Sequence, residues 1–162
     1  MDDWDGFYTL AGSTAGTLIG LIFVVITLGI EHTEKGDEHR LRLFITPVLV
    51  YFTSLLVIAM VMVRPLSAAA RAIALGAIGS AGLAYVMNLL LLSRRTLKFE
   101  GTRIIWHVVV PLFSYMLITA SAAAWALEAP FANALCALGV TILLVTALRN
   151  TWMATLGIVK RD

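Results

Sequence analysis

The chain has one cysteine, four prolines and little charge: only 14% of its 162 residues are Asp, Glu, Lys or Arg. A lone thiol, Cys136, excludes an intrachain disulfide and a Cys-based metal cluster. Its apolar neighbours in the sequence give it the role of a small buried hydrophobe. Soluble domains are roughly 25% charged, so this chain cannot clothe a water-facing surface, and lipid must solvate most of its outside. Lys and Arg are missing before Lys35, and Asp2, Asp3 and Asp5 stand where a secretory signal would be basic. The apolar run that follows is as long as a full span, so it is expected to stay in the mature protein. No Asp, Glu, Lys or Arg falls in the middle of any long apolar stretch. Proton-coupled carriers, voltage sensors and pumps usually keep such a charge despite its cost, which argues against those classes.

What is present is apolar: 60% of residues are hydrophobic and the mean hydropathy is +0.90. A span needs about 20 mostly apolar residues, each adding roughly 1.5 Å against a hydrocarbon core of about 30 Å. Five stretches qualify, approximately 7–30, 43–63, 72–92, 104–127 and 131–148. None alternates with period two, so helices rather than a barrel must satisfy the backbone. The connections divide the basic residues unequally. One side of the resulting topology holds only Arg64 and Arg71; the other holds Lys35, Arg40, Arg42, Arg94, Arg95, Lys98, Arg103, Arg149, Lys160 and Arg161. Short loops rich in Lys and Arg stay in the cytoplasm. The expected fold is therefore an all-α integral membrane protein, a five-transmembrane-helix bundle forming a single domain over 1–162. Its amino terminus is outside and its carboxyl terminus cytoplasmic. Trp4 and Trp125 fall at the outer interface and Trp106 and Trp152 at the inner one, where indole rings are favoured.

Gly12, Gly16 and Gly20 recur every four residues in the first span, a doubled GxxxG. In lipid, where apolar helices gain nothing hydrophobic by meeting, such strips let backbones approach closely. Thr9, Ser13 and Thr17 keep the same spacing as a neighbouring hydroxyl stripe. The strip serves packing within one protomer, or contact between protomers with the stripe lining a shared pore and Asp2, Asp3 and Asp5 at its mouth. The third span is rich in Gly and Ala, and Gly79 with Ala77 is expected to accept the first helix's ridge. Pro47 and Pro111 predict kinks near the inner ends of the second and fourth spans.

His107, about one turn inside the fourth span, is a candidate pH-sensitive contact. Ser114, seven residues later, is two turns away, too far to form a catalytic pair with it. His32 and His39 lie among Glu31, Glu34 and Glu38, but their spacing matches no zinc pattern, so no metal or other cofactor is expected. Arg94, Arg95, Lys98 and Arg103 form a basic connection suited to anionic lipid. Nucleic acid, which needs a broader basic surface with stacking aromatics, is discounted.

Trp4, the Phe7–Tyr8 pair, the glycine strip and the run from Gly20 to Val24, which reads GLIFV, together resemble small bacterial multi-pass proteins of unassigned function. The resemblance covers about the first span and implies a multi-pass protein of a bacterial inner membrane. The leading functional expectation is a small homo-oligomer with a channel-like or permeation role. The alternative is a non-conducting accessory subunit that binds another membrane protein through its glycine faces. A lipid-modifying enzyme comes third, because no nucleophile–base–acid set appears.

Overall fold

The computed structural model describes residues 3–30, 38–96 and 105–159. They form α1 (Asp3–Ile30), α2 (Glu38–Val63), α3 (Ala68–Thr96), a π-helical turn (Ile105–Val109) that runs into α4 (Val110–Ala126), and α5 (Ala132–Val159). There is no strand among the described residues. All five helices are long and apolar enough to cross a membrane, the fourth counted together with its π turn. The expected five apolar segments are thus five helices. The fifth is longer than its apolar stretch, continuing past Leu148 to Val159, because Arg149 and Asn150 extend the helix without breaking it.

Two short turns close one end of the bundle. Ser67 caps α3, accepting from the Ala70 N–H at 3.2 Å, and Glu128 takes a positive φ of 50° between α4 and α5. The start of α1 shares this end, since the Tyr8 hydroxyl donates to the Asn133 carbonyl at 3.1 Å.

The centre consists of α2, α4 and α5, each of whose spans is 44% buried, whereas α1 and α3 are 28% and 22% buried. Those lower values place α1 and α3 on the flanks. α1 lies on α2 and touches α5, α3 lies on α4 and touches α2, and the two flanking helices do not meet. The expected seating of the first helix against Gly79 and Ala77 is therefore corrected. Both glycine-rich helices are used, but against different partners.

α3 docks through a seam spaced at three residues. Gly76 faces Ala122, Gly79 faces Thr119 and Gly82 faces the Tyr115 ring. As the α3 numbers rise the α4 numbers fall, the register of antiparallel neighbours. A Cβ on Gly79 would run into Thr119, and one on Gly82 into the Tyr115 ring. On the far side of α4, Gly139 lets α5 approach so closely that a Cβ there would lie 3.1 Å from the Ser114 carbonyl oxygen. Ser114, fully buried, donates to the Gly139 carbonyl at 2.9 Å across that contact. This is close packing of small residues with an interhelical hydrogen bond at its centre, the means by which helices associate in lipid.

Candidate functional site

α1 uses only the start of its glycine strip. Gly12 is buried, and a Cβ there would come within 2.8 Å of Ala59 on α2. At Gly16 a Cβ would just reach Leu56 at 4.0 Å, and at Gly20 it would meet nothing within 4 Å. The strip therefore leaves α2 as it descends. Thr9, Ser13 and Thr17 are exposed and face away from the bundle. Ser13 donates to the Thr9 carbonyl at 2.8 Å and Thr17 to the Ser13 carbonyl at 2.9 Å. Their hydrogens are satisfied within the helix, so in lipid the stripe carries no unmet donor, while each oxygen keeps lone pairs to offer. Leu10, Leu21, Phe23 and Val24 flank this face and are more than half exposed.

Among the described residues, large side chains occupy the contact between α2 and α4. Tyr51, Phe52, Leu55, Tyr115 and Ile118 are fully buried where α2 and α4 face each other. Ser54 donates to the Val50 carbonyl at 2.9 Å, which spends its single hydrogen, so the Tyr115 hydroxyl is the donor in the 2.8 Å bond between them. Thr119 donates to the Tyr115 carbonyl at 2.9 Å and Ser114 to that of Gly139. Ser114 is thus a packing residue whose proton is held by a backbone carbonyl.

His107 sits half-buried in the π turn. The turn has a local cause. In α-helical register the N–H of residue 111 would bond the His107 carbonyl; in π register it would bond that of Trp106. Residue 111 is proline and has no N–H. Side chains from other helices donate to both of those carbonyls: the Tyr51 hydroxyl to His107 at 3.1 Å, and Asn150 Nδ2 to Trp106 at 3.4 Å. Asn150 is buried, and its Oδ1 has no partner. The sequence marked Pro111 as a kink; the structure makes it a π turn with two long-range donors. Neither Tyr51 nor Asn150 had been paired with it, though the position of a proline four residues after His107 carries the signal.

Arginine stacks on tryptophan at each end. The Arg71 guanidinium lies 4.8 Å from the Trp125 ring centroid, and that of Arg149 4.2 Å from Trp106. Such cation–π contacts hold Trp125 and Trp106 against the bundle, whereas Trp152 is largely exposed and Trp4 packs edge-on against Phe7. Arg94 and Arg95 belong to the last turns of α3, while Lys98 and Arg103 lie outside the described residues. The His32 and Glu31–Glu34 group also lies outside them. No family model matches the chain, nor does any curated protein or solved structure.

Proposed function

We propose that this chain is a homo-oligomeric membrane protein, amino terminus outside, in which several α1 helices surround a shared axis and form a permeation path. One observation carries the proposal: α1 turns a continuous hydroxyl stripe, Thr9, Ser13 and Thr17, outward, while Tyr51, Phe52, Leu55, Tyr115 and Ile118 are fully buried where α2 meets α4. A path inside one protomer would have to displace Tyr51 and Tyr115; a path between protomers displaces nothing. The unequal division of Lys and Arg between the two ends supports the orientation, and the resemblance of the first span supports a bacterial inner membrane. The ten basic residues at the cytoplasmic end, Arg94 and Arg95 among them, suit anionic lipid.

In nanodiscs the protein is expected to show a discrete symmetric mass of four or more chains, held across protein concentrations. Liposome flux is expected to fall when Thr17→Leu closes the stripe. A monomer or dimer would end the shared-axis reading. The second reading, an accessory subunit, draws on the open surface at Gly16 and Gly20. It expects no flux, a co-purifying membrane protein, and loss of that protein with Gly16→Leu.

A further inference from the structure

A groove of about 520 Å³ opens on the outside of the bundle between α1 and α2. Gly12 and Ala59, the residues of closest approach, lie at its bottom, Leu56, Met60 and Val63 form its apolar wall, and Arg64 stands at one end. That end is where α2 stops and the polar turn to α3 begins, so Arg64 sits at headgroup depth and the groove descends from it toward the bilayer centre. From Arg64 to Leu56 the wall is about 12 Å long at 1.5 Å per residue, enough for the upper part of an acyl chain.

Arg64 is exposed, and neither it nor Arg71 pairs with a carboxylate among the described residues. Arg71 is drawn to the same turn, its Nη2 donating to the Arg64 carbonyl at 3.2 Å, while its buried Nε has no acceptor. These are the only two basic residues on a side of the protein that also carries Asp2, Asp3, Asp5 and Glu128. Arg64 itself lines the mouth of this apolar groove, and Arg71 is held beside it on the turn.

We infer that this groove binds a phospholipid, with an acyl chain along Leu56, Met60 and Val63 and the phosphate on Arg64. A guanidinium matches a phosphate by two parallel hydrogen bonds, and the groove supplies the apolar contact that a free phosphate would not use. The site lies at the opposite end of the bundle from the basic Arg94–Arg95 segment and shares Thr9 with the hydroxyl stripe of α1.

Native mass spectrometry of the full chain, released from detergent with added phosphatidylglycerol or with diacylglycerol of the same acyl chains, tests this. One phosphatidylglycerol is expected to stay bound per chain, roughly tenfold more tightly than diacylglycerol, about the effect of one charge-assisted hydrogen bond. Arg64→Gln is expected to remove that preference, and Met60→Trp, which fills the groove, to weaken both lipids alike. Leu138→Ala, on the exposed face of α5, is expected to change neither. Equal retention of the two lipids by the unaltered protein would overturn the inference without need of a variant. So would a preference that survives Arg64→Gln, or a groove occupied by a second copy of the chain and no lipid.

Discussion

Replacing Gly82 by leucine is expected to prevent the bundle from forming, while the same replacement at Gly20 leaves the protomer intact. The two glycines look alike in the sequence, each within a small-residue strip of an apolar helix. Gly82 is buried under the Tyr115 ring, so even a methyl group would have to move the ring. Tyr115 is itself fully buried and tied to Ser54. Pushing it aside would break that bond and lift α3 from α4, taking the Gly79–Thr119 contact with it. Overpacking of a tight core costs about 1–3 kcal/mol, sometimes more, and a leucine here stands at the upper end. At Gly20 an added side chain meets open space. Fluorescence-detected size exclusion with a thermal ramp reads both: Gly82→Leu is expected to aggregate or lose its monodisperse peak, and Gly20→Leu to melt with the unaltered protein. If Gly82→Leu melts normally, the α3–α4 seam is not where the helices meet.

That contrast shows what was legible in the sequence. Hydropathy located five helices because a span must be apolar over its whole length, and it needed no knowledge of neighbours. Small residues were equally visible, but a glycine says only that something comes close. The repeat at Gly12, Gly16 and Gly20 drew attention to α1, yet only Gly12 is packed against α2. The tighter seam, Gly76, Gly79 and Gly82, has a three-residue spacing and lay unseparated among the alanines of α3. Gly139, alone in α5, gave no pattern at all, and its partner, the Ser114 carbonyl, is a backbone atom that no side-chain pattern reveals. Amphipathicity did not help, since helices facing lipid on one side and apolar neighbours on the other have little contrast between faces. The hydroxyl stripe of α1 was legible as a stripe; that it faces outward depended on which side of α1 met α2.

The π turn permits a test in which two variants that are each damaging offset one another. Tyr51→Phe keeps the buried ring and removes the hydroxyl that donates to the His107 carbonyl. Interhelical hydrogen bonds in membranes are worth about 0.6 kcal/mol on average and up to about 1.7, so the variant should lose roughly 1 kcal/mol. Pro111→Ala returns an N–H to the position from which α register would serve that same carbonyl. In the unaltered background this N–H competes with Tyr51 and draws the turn toward α-helix. It would also carry Trp106 away from Asn150 and from the Arg149 guanidinium stacked on its ring. Once Tyr51 has lost its hydroxyl, the new N–H supplies the missing donor instead. The double variant is therefore expected to be more stable than the sum of the single losses, by about 1 kcal/mol. Denaturant or thermal unfolding in one detergent, followed by tryptophan fluorescence, measures the cycle. Additivity within about 0.5 kcal/mol, the behaviour of independent sites, would mean that Tyr51 does not stand in for the N–H that Pro111 lacks. The π turn would then owe its shape to Trp106 and its neighbours rather than to the proline.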